Sequence, residues 1–163
     1  MYIAKISRKE DLNFPNATLI EEEPLIHDKK LERDYPQFSP DGKVVAFIED
    51  RNRLMVVNLD TKKIRQVTDG STWYTRSGGF DYSWSPDGKW FTLEFIGNKH
   101  DPYSDIGLVS ADGKGQIINL TNSGYTSGSP RWVMGGNAIL FITERYGMRN
   151  HASWGSLNDV MIA

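Results

Sequence analysis

The side chains that could bind a ligand are concentrated in three segments of the chain, residues 69–79, 97–104 and 145–158. Tryptophan, tyrosine and arginine are typical anchors of binding surfaces, because they combine a large contact area with strong hydrogen bonds. If the segments meet in space, we expect a surface for a peptide or protein ligand. The alternative is that their rings pack against the rest of the protein. The candidate binding residues are Trp73, Tyr74, Arg76, His100, Tyr103, Arg149, His151 and Trp154.

Motifs for catalysis and metal binding are missing from the sequence. It contains no nucleophile elbow, no glycine-rich phosphate loop and no stripe of basic and aromatic residues. The histidines, His27, His100 and His151, have no metal-ligating partner at close spacing, which favours polar or packing roles. Asp101 and Asp105 could hold Ca²⁺ in a loop, but a cap of a strand is the simpler role for Asp105. We predict no catalytic residue, no metal and no cofactor.

The composition argues against nucleic-acid and membrane partners, and it contains no disulfide or signal peptide. The chain has 163 residues, of which 39% are hydrophobic and 25% charged, and its net charge is −2. This balance gives no electrostatic reason to expect nucleic acid or an anionic membrane. There is no cysteine, so disulfides and thiolate chemistry are excluded. The sequence holds no apolar run long enough to span a membrane and no signal peptide, so we expect any export signal of a longer protein to lie elsewhere.

A repeated turn motif indicates which elements must position these segments. The pentapeptide SPDGK occupies residues 39–43 and recurs 46 residues later, at 85–89, and a degenerate copy follows at 132–137. Proline presets the first turn position, aspartate bonds to nearby backbone amides, and glycine accepts positive φ. Each copy therefore predicts a tight hairpin between two strands. We expect Asp41 and Asp87 to be turn carboxylates rather than catalytic groups.

Short strands repeated at this period are typical of a β-propeller, whose blades are four-stranded antiparallel meanders. The sequence predicts an all-β fold with about three such blades, a partial propeller. The central strands are apolar on both faces, as expected for strands buried between neighbouring blades. The predicted strands are 35–39, 44–49, 53–59 and 63–68; 80–85, 90–96, 105–110 and 116–121; and 130–133, 138–143 and 159–162.

The blades divide the chain into predicted domains. We expect blades at 35–69, 80–122 and 129–163, the last lacking its fourth strand. Residues 1–34 would form an N-terminal arm, strands of a preceding blade, or the missing outer strand. Because three blades cannot close a ring, we expect a piece of a longer protein or an open stack protected by association. In a meander, the segments 69–79, 97–104 and 145–158 leave the sheets on one face. The SPDGK hairpins lie on the opposite face.

Several motifs resemble the TolB-type PD40 propeller repeat. They include the run FSPDGKxxAF at 38–47, the VTDG at 67–70, the LTN at 120–122 and the ERYG at 144–147, with Asp105 and Asp159 opening third strands. This resemblance covers residues 35–163. It implies a β-propeller of PD40 repeats.

A narrower resemblance is to the propeller region of tricorn-like serine peptidases of the S41 family. It is carried by residues 118–125 and 154–160. It implies a non-catalytic segment that binds or gates peptides for a separate catalytic region, in a periplasmic or exported protein. No Ser/His motif of that family occurs here, so no catalytic residue is carried over. Alternatives are a TolB-like envelope interaction module, and the propeller of a prolyl-oligopeptidase-type enzyme. Expected partners are a peptide or protein ligand and the remaining domains of a parent protein.

Overall fold

The computed structural model describes residues 1–28, 30–74, 78–97, 102–147 and 157–163. Within these ranges the chain forms thirteen β-strands and two short 3₁₀ helices. A membrane-crossing helix, long and apolar enough, does not occur in the same ranges.

The strands assemble into four antiparallel sheets, a hairpin of β1 and β2 followed by three meanders. The hairpin consists of β1 (Tyr2–Ile6) and β2 (Ile20–Pro24). The first meander contains β3 (Arg33–Phe38), β4 (Val44–Glu49), β5 (Arg53–Asn58) and β6 (Ile64–Gln66). The second contains β7 (Tyr82–Trp84), β8 (Trp90–Phe95), β9 (Asp105–Ser110) and β10 (Ile118–Asn119). The third contains β11 (Ser127–Val133), β12 (Ala138–Thr143) and β13 (Asp159–Ile162).

This architecture confirms the predicted fold class of propeller-type antiparallel blades. In each meander the strands pair in chain order, as a blade requires. Strands β4, β9, β12 and β13 coincide with their predicted ranges, whereas β7 and β10 are shorter than predicted. The sheets also begin earlier than expected, with β3 at Arg33 and β11 at Ser127.

Bulges in the first strands explain the shifted starts of β3 and β11. The register slips between Asp34 and Gln37 in β3 and between Gly128 and Arg131 in β11. Each slip contains a residue with positive φ, Tyr35 or Ser129, followed by proline. Proline removes a backbone donor, and it is tolerated here because the first strand is the edge of its sheet.

The first two blades share the largest hydrophobic core, which uses one face of each sheet. Alternate residues of β4 and β5 point into it from the first blade, and Phe91 and Leu93 of β8 point into it from the second. Phe91 is fully buried. Because side chains alternate across a strand, the remaining residues of β4 and β5 must be covered from the other side.

The N-terminal segment covers that other side of the first blade. Leu25 and Ile26, which follow β2, are buried against Phe47 and Val57. Their amides both donate to the carbonyl of Met1, at 2.9 and 3.1 Å. In the described structure β1 and β2 pair only with each other, so this segment does not supply an outer strand to the third blade.

The second and third blades meet through a smaller core. Ile106 of β9 is fully buried there beside Ile139 and Phe141 of β12, with Trp132 and Met161 packed around them. The three sheets are therefore stacked face to face, in chain order.

The SPDGK turns are held by the hydrogen bonds that their sequence predicts. Ser39 Oγ donates to Asp41 Oδ1 at 2.6 Å, and the Lys43 amide donates to the same oxygen at 3.1 Å. The second copy repeats both bonds at 2.6 and 3.0 Å. These bonds, the serine hydroxyl first, lower the pKa of Asp41 and of Asp87. Both aspartates are turn carboxylates, as expected.

A third turn of the same kind joins β9 to β10. It reads SADGK at residues 110–114, and Ser110 Oγ donates to Asp112 Oδ1 at 2.8 Å. The Lys114 amide donates to the same oxygen at 3.0 Å. The degenerate copy near residue 134 instead forms a 3₁₀ turn, in which Gly135 has positive φ.

Replacing Gly42 tests the hairpin assignment. Its φ is +70°, and a Cβ atom added there would meet nothing within 4 Å. We therefore expect Gly42→Val to lower the free energy of unfolding by about 1–3 kcal/mol through backbone strain alone. Gly42→Asn should cost less, because asparagine tolerates this region. Chemical denaturation of both variants measures this, and equal stability of Gly42→Val and wild type would refute the assignment.

Candidate functional site

The predicted binding face is described in part. Trp73, Tyr74 and Tyr103 belong to the described residues. The remaining candidates, Arg76, His100, Arg149, His151 and Trp154, lie outside them, as does Asp101.

Backbone hydrogen bonds join the described parts of this face. The amide of Ile96, after β8, donates to the carbonyl of Thr72 at 2.8 Å, which ties the loop between the first two blades to the second sheet. Ser104, before β9, bonds to Ser127 of β11 in both directions, through its hydroxyl at 2.9 Å and its carbonyl at 2.8 Å. The loop between the first two blades and the loop of the second blade are thus anchored on one side of the stack.

Trp73 packs against the blades, which is the role named above as the alternative to ligand binding. Its ring lies 5.6 Å from that of Phe80, centroid to centroid, at an interplanar angle of 59°. The indole packs against the core shared by the first two blades. Trp73 therefore closes one end of that core.

Tyr74 and Tyr103 are available to solvent on the same face. The two residues are 39% and 46% exposed, respectively. Exposed tyrosine offers contact area at low conformational-entropy cost, which suits it to binding. These two rings are the described candidates that could touch a ligand.

Asp105 serves as the cap of a strand rather than as an open ligand. It is 1% exposed at the start of β9. Its Oδ1 accepts from Thr121 Oγ1 at 2.7 Å and from the Ser123 amide at 3.2 Å. Its Oδ2 accepts from Asn119 Nδ2 at 2.9 Å. Among the described residues no cluster of three or more histidine, cysteine, aspartate or glutamate side chains could hold a metal.

Glu94 forms a polar clasp between the second and third blades that sequence reasoning missed. Its Oε1 accepts from the Ser129 amide at 2.6 Å, and its Oε2 accepts from the Asp81 amide at 3.3 Å. Ser129 Oγ donates in turn to Asp81 Oδ2 at 3.0 Å. Burial, aided by the charge of Asp81, raises the pKa of Glu94. The sequence carries a signal for this contact, because Glu94 interrupts an apolar strand at the position where the first blade has Ile48.

A second clasp lies at the corresponding end of the first blade. Glu49 ends β4 and pairs with Arg33 of β3 at 3.0 Å and with Arg53 of β5 at 3.4 Å. The Arg33 and Glu49 side chains are only 6% and 7% exposed. Removing one partner of such a buried pair leaves an uncompensated charge, so the pair fixes the strand ends that lead into the loop-bearing face.

The opposite, turn-bearing face carries a groove of about 760 Å³ between the first two blades. Its walls include Trp84, Trp90 and all three Ser-x-Asp-Gly-Lys turns. Within each turn, the serine hydroxyl donates a hydrogen bond to the aspartate carboxylate. Arg65 donates to the carbonyl of Ala111 across the groove. The groove is a seam between blades, held by its own polar groups.

Comparisons with known sequences find peptidases but no matching family model. The chain is 27% identical over 116 residues to "Uncharacterized peptidase YuxL" of Bacillus subtilis (strain 168), covering 64% of this chain and 16% of that protein. It is 28% identical over 108 residues to "Putative Tricorn-like protease C-terminal subunit" of Sulfurisphaera tokodaii, covering 66% of this chain and 12% of that protein. The chain spans less than a fifth of the length of each of these curated relatives.

Solved structures share the fold. The crystal structure of the tricorn protease matches with a TM-score of 0.57 at 16% identity, covering 78% of this chain and 12% of that one. A structure from a study of two prolyl endopeptidases matches with a TM-score of 0.58 at 18% identity, covering 90% and 23%. The chain is therefore a set of β-propeller blades that is similar in sequence to parts of longer peptidases.

Truncating the adjacent residues Trp73 and Tyr74 distinguishes an aromatic side chain that packs on the core from one that is exposed. We expect Trp73→Ala to lower the free energy of unfolding by roughly 2 kcal/mol, less than the 3–5 kcal/mol of a fully buried aromatic residue, because Trp73 is partly buried. Tyr74→Ala should change it by less than about 0.5 kcal/mol, as at other exposed sites. Urea denaturation provides both values, and an equal loss in the two variants would contradict the assigned roles.

Proposed function

We propose that the chain is the non-catalytic propeller segment of a tricorn-like serine peptidase, in which it binds or gates peptide substrates. The observation that carries this proposal is the blade architecture in a chain whose curated relatives are named as peptidases several times its length. On this proposal the catalytic region, the periplasmic or exported location and the remaining domains belong to the longer protein.

The turn chemistry supports assigning the repeats to the TolB-type PD40 class. Three turns share the Ser-x-Asp-Gly-Lys sequence and the same two hydrogen bonds to the aspartate. A repeat defined by this turn needs the serine hydroxyl, the aspartate and the glycine together, because each satisfies a different requirement of the hairpin.

The environment of the serines supports a non-catalytic role for the segment. A serine nucleophile needs an adjacent base that accepts its proton. The hydroxyls of Ser39, Ser85 and Ser110 donate to turn aspartates, and the hydrogen bonds of each turn lower the pKa of its aspartate, which makes the carboxylate a weak base. Ser104 Oγ donates to the carbonyl of Ser127, and Ser127 Oγ bonds to Thr143 Oγ1 at 3.1 Å. These serines are engaged in holding the blades.

The loop-bearing face is the surface that we assign to the peptide. Tyr74 and Tyr103 are exposed there on loops whose bases are fixed by the Thr72 and Ser104 hydrogen bonds. Loops held by a rigid scaffold are a common place for recognition. Because the ends of the loops are already fixed, less conformational entropy is lost when a ligand orders the loops.

A second candidate, the propeller of a prolyl-oligopeptidase-type enzyme, is favoured by one observation. The prolyl endopeptidase structure matches 90% of this chain, compared with 78% for the tricorn protease. Both candidates make the segment an accessory of a peptidase. They differ in the catalytic region to which it would be joined.

Peptide binding without hydrolysis tests the proposal. Incubated with unfolded casein fragments and fluorogenic peptides, the chain should bind in calorimetry and release no product. The double variant Tyr74→Ala and Tyr103→Ala should weaken binding about tenfold or more, since tyrosine is a frequent hot-spot residue.

The matched control is Tyr2→Ala, which removes a tyrosine that is 61% exposed on the N-terminal hairpin. It should leave binding unchanged. Hydrolysis that disappears on mutation of one of the chain's own serines would refute the non-catalytic role. Equal binding by the double variant and the control would refute the assigned face.

A further inference from the structure

The groove on the turn-bearing face is formed by the first two blades alone. All of its lining residues lie between Ser39 and Asp112, so it does not depend on either end of the chain. Its volume of about 760 Å³ lies within the roughly 300–1,000 Å³ range of ligand sites. The groove is therefore large enough to receive a side chain of a ligand.

Trp90 distinguishes this groove from the other seams between blades. It is the first residue of β8, and the first residues of the second strands in the other two blades are Val44 and Ala138. Trp90 lines the groove and is 36% exposed. Because a blade is built equally well with valine or alanine at this position, the fold itself does not require an exposed indole here.

Three turn carboxylates line the same groove, Asp41, Asp87 and Asp112. The serine and lysine bonds of each turn end on Oδ1, so they leave Oδ2 outside the turn. Hydrogen bonds within each turn lower the pKa of its aspartate, which keeps the three groups charged at neutral pH. The third blade has Gly135 where the second has Asp87, so its seam with the second blade lacks this carboxylate.

The cations of the groove do not balance these carboxylates. Its lining includes two, Arg65 and Lys89. Arg65 donates to the carbonyl of Ala111, and the Lys89 side chain is 78% exposed, with Nζ 3.9 Å from Asp87 Oδ2. Such a long and exposed ion pair is weak. Three carboxylates against two cations leave negative charge in excess, which is complementary to a cationic ligand.

The two tryptophans of the groove are held by the hairpin that carries them. The Trp90 amide donates to Ser85 Oγ at 2.9 Å, and its carbonyl accepts from the Ser85 amide at 2.9 Å. Trp84 stacks on Phe91 with ring centroids 4.0 Å apart, and its Nε1 donates to the carbonyl of Gln37 at 3.4 Å. A ligand would find these walls already ordered, which lowers the entropy cost of binding.

We propose that this groove binds an arginine side chain of a polypeptide ligand. The guanidinium stacks on the indole of Trp90, and its N–H groups donate to the carboxylates of Asp41 and Asp87. Arginine suits the groove better than lysine, because its planar group stacks on aromatic rings and pairs with carboxylates through two hydrogen bonds. Since the groove lies on the face opposite to Tyr74 and Tyr103, it is a second site, independent of the one proposed above for peptide substrates.

The test uses the whole chain and the blocked pentapeptide acetyl-Ala-Ala-Arg-Ala-Ala-amide. In NMR titrations the indole N–H signal of Trp90 should shift and saturate as the peptide is added. The same peptide with citrulline in place of arginine should bind about tenfold more weakly or worse, because it keeps the shape and loses the charge. The lysine peptide should fall between the two, and added salt should weaken the binding of the arginine peptide.

Two variants remove the proposed contacts with little change to the hairpin. Trp90→Val introduces the residue type that the first blade has at this position, and it should weaken binding of the arginine peptide about tenfold or more. Asp87→Asn keeps an oxygen that can accept the Ser85 and Lys89 bonds but removes the charge, and it should weaken binding several-fold. The matched control is Asp60→Asn, which removes an exposed carboxylate outside the groove and should leave binding unchanged.

Four results would overturn the proposal. They are an unshifted Trp90 indole at millimolar peptide, equal binding of the arginine and citrulline peptides, unchanged binding by the two folded groove variants, and shifts confined to the amides of Tyr74 and Tyr103. The last result would place the arginine peptide on the loop-bearing face. Sedimentation that shows a dimer in which the Trp90 ring is shielded from a soluble quencher would also overturn it, in favour of a second copy of the chain.

Discussion

The burial of both faces of the central strands is the constraint on which the rest of the structure depends. β4 and β5 present one set of apolar residues to the second blade and the other set to Leu25 and Ile26. Phe91 is fully buried between Tyr82 and Trp84, with ring centroids 5.9 and 4.0 Å away. A sheet with two apolar faces cannot be stable alone in water, so each of the first two blades requires a neighbour on each side.

This stacking positions the surface proposed for peptides. The cores hold the sheets together, while Glu49 and Glu94 fix strand ends through buried polar contacts. On the same side, the loops 69–79 and 97–104 are tied by the Thr72 and Ser104 hydrogen bonds. A rigid stack can carry exposed Tyr74 and Tyr103 on loops without losing their placement. The function proposed for this face therefore depends on interactions between blades as well as on the loop residues themselves.

The sequence predicted those features that local patterns determine. Continuous apolar runs predicted β4, β9 and β12, and the SPDGK motif predicted the hairpins, because strand burial and turn chemistry are both written in adjacent residues. The bulges at Tyr35 and Ser129 were not predicted, since neither residue type favours positive φ. The seat of Leu25 and Ile26 on the first blade was also missed, because it depends on tertiary contact between distant segments.

The candidate site was predictable as a face but not residue by residue. Meander topology alone predicts that the long loops share one side, and hydrogen bonds at Thr72 and Ser104 tie the described parts of two of them. Whether an aromatic residue in a loop packs or remains exposed depends on what lies beneath it. The adjacent residues Trp73 and Tyr74 therefore differ, since only Trp73 stacks on Phe80. Glu94 is the converse case. It is a charged residue within an apolar strand, and the amides that it binds belong to Asp81, just before β7, and to Ser129 of β11.

The most direct test of the stacking constraint is native-state hydrogen exchange of wild type and Phe91→Leu. Phe91 belongs to the second sheet, but its ring lies in the core shared with the first. The account predicts that the amides of β4 and β5 lose protection by about the same factor as those of β8, because the two sheets open as one cooperative unit. A loss confined to the second sheet, with β4 and β5 unchanged, would show that the blades are stable independently and would contradict the account.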